Sequence, residues 1–236
     1  MRDLAAACRR ALDRAFDLAL DAALPQRCAA CGRALAGGGL LCTECLAAIP
    51  VVSVGVCARC LASGREPVGC GAHREFAVWP AWVYDARAEQ VVHALKFGAR
   101  PGLARGLGGP LARAAAHLAG AGVVTEVPLH RARLRERGYN QAALLAAALG
   151  LTLGVPHAPG LLERTRATRA QARLGSHARR ANLAGAFRVA RPEWVRGRRI
   201  VVVDDVITSG ATLEACLAAL REAGARPAGV VLAWAQ

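Results

Sequence analysis

The chain has 236 residues, 54% of them hydrophobic, and a formal net charge of +14 that comes almost entirely from arginine, because lysine occurs once. No apolar run reaches the ~18 residues that a membrane helix needs, and charged residues interrupt the N-terminus where a signal peptide requires an apolar core. These features exclude a membrane-spanning or exported protein, and we expect a cytoplasmic globular protein of one domain or one domain with an appendage.

Residues 1–25 are predicted to form an amphipathic helix that ends at Pro25. Apolar side chains recur every fourth residue with charges between them, at Leu4, Cys8, Leu12, Phe16, Leu20 and Leu24. This spacing is typical of a helix with one buried face. Because the charges on the other face are mixed in sign, packing against the chain's own domain or a partner protein is favoured over a membrane surface.

Cysteines dominate residues 26–75. Each CxxC turn presents two thiolates to one metal ion, so paired turns predict zinc ribbons. The predicted ligands are Cys28, Cys31, Cys42 and Cys45, followed by Cys57, Cys60, Cys70 and His73. One or two structural zinc ions, bound by successive or by interleaved pairs, fit this spacing. A redox pair and an iron–sulfur cluster are the alternatives, and disulfides are disfavoured without an export signal.

From Phe76 onwards the pattern is that of an α/β domain. Strands are predicted at 76–84, 123–128, 187–189 and 227–234, and helices at 89–97, 103–118 and 142–149. Lys96 lies at the end of the first of these helices, just before Gly98. A compact ammonium beside a glycine turn suits a diphosphate, and an exposed cation at a helix end is the alternative.

The most informative stretch is residues 200–212. Four β-branched residues, Ile200 to Val203, predict a strand buried on both faces in a parallel sheet. Asp204 and Asp205 follow, and a hydroxyl-rich turn then leads into a helix that ends near Gly224. Backbone N–H groups at that helix start can bind an anion, while the acids can accept hydrogen bonds from neutral hydroxyls. A phosphate beside a diol indicates a sugar phosphate, and the absence of a Lys after the Gly excludes a Walker loop.

Positive charge is concentrated between Arg131 and Arg199, where fifteen Arg face three Glu. Residues 129–141, with Arg at alternate positions, are predicted to form a mobile basic loop. Residues 164–182 are predicted to form a second one. A localised positive field suits a diphosphate or a nucleic acid, and a solvated basic surface is the alternative.

Residues 200–212 resemble the 5-phosphoribosyl-1-diphosphate (PRPP) signature of type I phosphoribosyltransferases, and the whole chain resembles the competence protein F (ComF) family. Further matches are the paired CxxC ribbon and the strings 93–97, 127–130, 137–141, 179–182 and 185–187. The resemblance implies a type I phosphoribosyltransferase fold, an α/β Rossmann-like, mostly parallel sheet flanked by helices. It is preceded by an N-terminal helix and a Cys-rich zinc-ribbon module, with domains at 1–25, 26–75 and 76–236. His73 departs from the family, whose ribbon usually has Cys there.

The resemblance also implies a Mg²⁺-dependent activity of nucleotide metabolism, in which a 5-phosphoribosyl group passes from PRPP to an acceptor and diphosphate is released. Asp204 and Asp205 would hold the ribose and the metal-bound hydroxyls, and Arg137 and Lys96 would stabilise the leaving group. The 5-phosphate would be held by Thr208, Ser209, Gly210, Ala211 and Thr212. Purine-salvage enzymes have an Asp where this chain has Thr208, which argues against oxopurine acceptors.

Three hypotheses follow and are compatible with one another. The first is a phosphoribosyltransferase with an undefined acceptor, linked to DNA uptake and natural transformation. The second is a catalytically weak or inactive competence protein that binds single-stranded DNA under regulation by PRPP. The third is a zinc-stabilised module whose N-terminal helix docks on a partner such as a DNA-uptake helicase.

Overall fold

The computed structural model describes residues 27–35, 41–97, 101–118, 120, 122–166, 183 and 185–236. The predicted N-terminal helix, the Gly37–Gly39 turn and most of the second basic loop, including Thr168, Gln171, Arg179 and Asn182, lie outside these residues. The chain divides into two compact units, one up to Ala48 and one from Ile49 to Gln236. The predicted domain boundaries at residues 25 and 75 stay a prediction.

The larger unit is built on a five-stranded sheet in the order β1-β2-β7-β6-β3. Only β1 is antiparallel to its neighbour, and the other pairs are parallel. The strands are β1 (Val56–Cys57), β2 (Ala77–Val83), β3 (Val123–Glu126), β6 (Arg199–Ile207) and β7 (Arg226–Trp234). A separate antiparallel pair consists of β4 (Leu162–Arg164) and β5 (Phe187–Val189). The prediction of a mostly parallel α/β fold is confirmed.

Successive side chains of a strand point to opposite sides of the sheet, and in strand β6 both sets are buried. Ile200 and Val202 belong to a buried cluster that includes Leu213 and Leu217. Val201 and Val203, which alternate with them, are also buried. The run of β-branched residues therefore predicts the central strand correctly, although the strand continues through both aspartates to Ile207.

The helices are α1 (Thr43–Ala48), α2 (Ala58–Ala62), α3 (Ala86–Phe97), α4 (Gly108–Ala114), α5 (Arg131–Arg137), α6 (Gln141–Leu153), α7 (Pro192–Val195) and α8 (Ala211–Glu222). One helix, α1, belongs to the smaller unit, and the others belong to the larger unit, where they connect the strands. Helix α6 contacts α4, β3 and β6, whereas α8 contacts α2, β5 and β7. Within the part of the chain that the structure describes, no helix is both long and apolar enough to span a bilayer.

Two predicted elements differ in the structure. The helix predicted at 103–118 is α4 with a 3₁₀ turn on either side, Pro101–Leu107 and Ala115–His117. The prediction of a loop at 129–141 is wrong, because Arg131–Arg137 form helix α5. None of its residues is buried, so it lacks the apolar face on which helix prediction depends. His130 Nδ1 accepts the Ala132 N–H at its start, and Gly138, at φ +81°, ends it.

Helices α4 and α6 approach so closely that Gly108 leaves no space for a side chain. A Cβ there would lie 2.3 Å from Thr152 Oγ1 and 2.9 Å from the Ala148 carbonyl oxygen, whereas a Cβ at Gly109 would meet nothing within 4 Å. We expect Gly108→Ala to lower the free energy of unfolding by about 1–3 kcal/mol. Gly109→Ala, the matched control, should raise it by up to about 1 kcal/mol. Urea unfolding measures both, and equal effects would contradict the close approach.

Candidate functional site

Two groups of four metal ligands lie in the predicted successive order, Cys28, Cys31, Cys42 and Cys45, then Cys57, Cys60, Cys70 and His73. Within each group all ligand atoms are within 4.8 Å of one another. The Sγ atoms of Cys31 and Cys42 are 3.9 Å apart, and Cys70 Sγ is 3.4 Å from His73 Nδ1. Ligands of tetrahedral zinc stand about 3.8 Å apart, so both groups fit zinc and interleaved pairing is excluded.

Backbone N–H groups also point at the sulfur atoms, as thiolate ligands require. Cys28 Sγ accepts the Cys42 N–H at 3.4 Å, and Cys57 Sγ accepts the Cys60 N–H at 3.5 Å. Burial raises the pKa of Cys28, but its backbone hydrogen bonds outweigh burial and lower that pKa to about 6. The first centre lies in the smaller unit, and the second belongs to the same compact unit as the sheet.

Asp205 is the most heavily bonded acid near the end of β6. Its side chain is 5% exposed. Lys96 Nζ lies 2.9 Å from Asp205 Oδ2, and Gln141 Nε2 donates to the same oxygen at 3.1 Å. The Val206 N–H donates to Oδ1 at 2.7 Å. These three donors occupy both oxygens of the Asp205 carboxylate.

Asp204 is in a different environment, although it is the adjacent residue. Its Oδ1 accepts the Asp205 N–H at 2.9 Å. Loss of solvent around the carboxyl and the negative charge of Asp205 raise the pKa of Asp204 to about 8. Asp204 therefore keeps its proton to a higher pH than an ordinary carboxyl group does. Strongly shifted pKa values are typical of ligand-binding and catalytic sites.

Residues Arg137 to Gln141 link helices α3, α5 and α6 to Asp205. Arg137 donates to Gln141 Oε1, which orients the Gln141 amide towards Asp205. Tyr139 donates its hydroxyl hydrogen to the carbonyl oxygen of Leu95 at 2.6 Å, and therefore fixes the turn of α3 that carries Lys96.

Asn140 anchors the start of α6 beside the same site. Its Oδ1 accepts the Ala142 N–H at 3.0 Å, the geometry of a helix N-cap. Its Nδ2 donates to the Val127 carbonyl oxygen, also at 3.0 Å. The individual roles of Tyr139, Asn140 and Gln141 cannot be read from the sequence, because their partners lie on distant segments. The only indication of their importance in the sequence is that the string 137–141 is specific to the family that the chain resembles.

A cavity of about 490 Å³ opens beside the acid pair. It lies where β2, β3 and β6 end, as ligand sites of open parallel sheets do. Predicted site residues Lys96, Arg137, Asp204, Asp205 and Thr212 line it. The remaining lining residues were not predicted as a group and include Tyr84, Glu89, His93, Phe97, Arg133, Gln141 and Arg164.

A smaller recess adjoins the cavity and contains the rest of the predicted site. It is formed by the turn between β6 and α8, with Thr208, Ser209, Gly210 and Ala211 in its lining. Asp204 and Thr212 line both spaces. Gly210 has φ +72° and stands at the N-cap of α8, a conformation that glycine adopts without strain. Both spaces together can hold a phosphate next to a polar, hydroxyl-bearing group.

The raised pKa of Asp204 predicts a pH-dependent stability. Unfolded Asp204 ionises near pH 4, whereas folded Asp204 holds its proton up to about pH 8. The stability contributed by this proton is complete at low pH and is lost as pH rises towards about 8. Asp204→Asn lacks the titration, so its melting temperature should exceed that of the wild type by an amount that grows between about pH 6 and about pH 8.

Differential scanning fluorimetry of the ligand-free protein measures this difference. Glu222→Gln, which replaces an exposed acid of α8, is the control and should give a difference that does not vary over the same pH range. An Asp204→Asn difference that is equally flat would contradict the assigned pKa.

Comparison with known proteins gives two family matches. The double zinc ribbon domain matches residues 19–73, and the phosphoribosyl transferase domain matches residues 138–236. The glutamine PRPP amidotransferase of B. subtilis, solved with ADP and GMP, is similar with a TM-score of 0.41 at 25% identity, over 59% of this chain and 30% of that chain.

Relatives are also found among curated proteins. The DNA utilization protein YhgH of Escherichia coli O157:H7 is 32% identical over 200 residues, which cover 79% of this chain and 80% of the relative. Competence protein F of Haemophilus influenzae is 40% identical over 103 residues, 43% of this chain and 44% of that protein. Because a relative with 32% identity covers 79% of the chain and both family models match it, the chain belongs to the competence protein F (ComF) family.

Proposed function

We propose that the cavity binds PRPP together with Mg²⁺ and that the protein transfers the 5-phosphoribosyl group to an acceptor, with release of diphosphate. The observation that carries this proposal is the acid pair near the end of β6, which lies between a polar cavity and a recess at the start of α8. The match to the phosphoribosyl transferase domain supports it.

The recess suits the 5-phosphate of the ligand. Thr208, Ser209 and Thr212 offer hydroxyl groups, and the first N–H groups of α8 are free of helical partners, as at any helix start. The ribose then extends into the cavity, where its 2′ and 3′ hydroxyls can donate to Asp204 and Asp205. Mg²⁺, when bound, would neutralise diphosphate oxygens, and the acidic pair with the ribose hydroxyls would hold it.

Cationic side chains around the cavity suit the diphosphate. Lys96, Arg133 and Arg137 all line it. In the transfer, a lone pair of the acceptor forms the new bond to C1 while the C1–O bond breaks and its electron pair leaves with the diphosphate. Positive charge develops on the ribose and negative charge on the leaving oxygen. The cations can stabilise the leaving oxygen, and the acid pair can stabilise the positive charge on the ribose.

The raised pKa of Asp204 couples ligand binding at this site to the release of a proton. Ribose hydroxyls and a divalent cation bind better to an ionised carboxylate than to a neutral one. Ligand binding therefore displaces the Asp204 proton. Tyr84, Glu89, His93 and Phe97 also line the cavity and are available for contacts with the acceptor.

Calorimetry with PRPP and Mg²⁺ tests the proposal. We expect micromolar affinity for the wild type, equivalent to about 8 kcal/mol, and loss of binding in Asp204→Asn/Asp205→Asn. The variant removes negative charge near an anionic ligand, so charge alone predicts tighter binding. Loss of binding would therefore indicate that the acids hold hydroxyls or metal.

Glu193→Gln/Glu222→Gln is the matched control, because both acids are exposed and lie outside the lining of the cavity. It should bind as the wild type does. Unchanged heats in the aspartate variant would contradict the proposal. A screen of nitrogen bases and amines for diphosphate release then identifies the acceptor.

A second candidate function is binding of single-stranded DNA, and the observation that favours it is helix α5. Arg131, Arg133 and Arg135 are exposed on it, and the names of the relatives refer to DNA utilization and competence. Phosphates contacted by Arg release counterions, which makes such binding salt-dependent. Docking of residues 1–25 on a helicase stays a prediction.

We expect the logarithm of the affinity for an oligothymidine to fall linearly with the logarithm of salt concentration. Arg131→Gln/Arg135→Gln should reduce that slope by about 1.4, because each phosphate contact on a single strand contributes about 0.7. Fluorescence anisotropy measures it. Arg198→Gln/Arg226→Gln, two exposed arginines where the central strands β6 and β7 begin, should leave the slope unchanged. Equal slopes in all proteins would contradict the DNA-binding role of α5.

A further inference from the structure

We propose that the second zinc centre positions the phosphate-binding turn through helix α2, so that Ala58, Arg59 and Leu61 are positioning residues of the phosphate site. The inference rests on the proposed function, because it assigns a ligand role to that turn. It also predicts behaviour of the ligand-free protein that is independent of PRPP.

Helix α2 depends on the zinc ligands for its own structure. It has five residues, far fewer than an isolated helix needs in water. Cys57 is its N-cap and Cys60 lies in its middle, and both belong to the second ligand group. A zinc ion bound by Cys57, Cys60, Cys70 and His73 therefore fixes both the start and the centre of α2.

The backbone of α2 packs directly against the turn at Gly210. A Cβ on Gly210 would lie 2.6 Å from the Ala58 carbonyl oxygen and 2.9 Å from Leu61 Cβ. Because no Cβ fits between them, the backbone of Gly210 lies close to α2, which restricts movement of the turn in this direction. Gly210 directly precedes the first residues of α8, which line the recess and whose N–H groups are the proposed phosphate donors. The position of α2 thus restricts the direction of those N–H groups.

A buried ion pair connects the same two helices. Arg59 Nε lies 3.0 Å from Glu214 Oε1, and Glu214 is 5% exposed. The Glu214 N–H donates to the Gly210 carbonyl oxygen at 2.8 Å, which closes the first turn of α8. The Arg59 guanidinium also lies 3.7 Å above the centre of the Phe76 ring. Arg59 therefore holds the first turn of α8 against a fixed aromatic surface.

The zinc ligands of α2 and the start of α8 also share one buried apolar cluster. Cys57, Cys60 and Ala58 belong to one buried apolar cluster with Ala211 and Leu213 of α8. Loss of zinc would leave thiols in this cluster without their common ligand and would release α2. The first zinc centre belongs to the smaller compact unit, so its removal provides a control for general effects of metal loss.

The test compares Cys60→Ser with Cys31→Ser. Each should contain about one zinc fewer per chain than the wild type by metal analysis. In ligand-free protein, hydrogen–deuterium exchange at 208–214 should rise in Cys60→Ser and stay at the wild-type level in Cys31→Ser. Calorimetry should show affinity for Mg²⁺–PRPP lowered about tenfold or more in Cys60→Ser and changed less than about twofold in Cys31→Ser.

Arg59→Met covers the case in which Cys60→Ser fails to fold. It keeps all zinc ligands but removes the guanidinium that links α2 to Glu214 in the first turn of α8. We expect full zinc content, faster exchange at 208–214 and weaker Mg²⁺–PRPP binding. Arg74→Met, at an exposed arginine nearby in the sequence, is the control.

The outcomes separate the two proposals. If the wild type binds no PRPP, the proposed function fails, and the exchange data alone decide the role of α2. If the wild type binds PRPP but Cys60→Ser or Arg59→Met matches its control in exchange and affinity, the proposed role of α2 is overturned while the proposed function stands.

Discussion

The structure of the site depends on the charge of Asp205, which is buried at the meeting point of three segments. A buried carboxylate is costly unless it is paired and hydrogen-bonded. Lys96 comes from the helix after β2, Gln141 from the helix beyond β3, and Asp205 from β6 itself. Satisfying this one charge therefore fixes the relative positions of α3, α6 and the central strand, and with them the shape of the cavity.

The same charge also acts on its neighbour. Burial raises the pKa of Asp204, and the nearby negative charge of Asp205 raises it further, to about 8. Two adjacent and chemically identical side chains thus acquire different properties from their partners alone. The raised pKa of Asp204 is stability given up locally, at the site that we propose to bind a ligand.

Local patterns in the sequence predict much of this arrangement. The run Ile200–Val203 identifies the central strand, because periodicity and β-branching act over a few residues, and the CxxC spacing identifies both ligand groups. Helix α5 escapes prediction since it has no buried face. The contacts of Gln141 with Asp205 and of Gly210 with Ala58 escape it for a different reason, because they join residues far apart in the chain.

The pairing of Arg59 with Glu214 spans 155 positions in the sequence. During synthesis, the cysteine knuckle and α2 leave the ribosome long before α8 exists, and closing so long a loop is slow compared with local folding. A nascent or prematurely terminated chain can therefore carry its metal while the turn at 208–212 is still missing. Metal content then reports how the first third of the polypeptide has matured, whereas the proposed phosphate site requires synthesis to have passed α8.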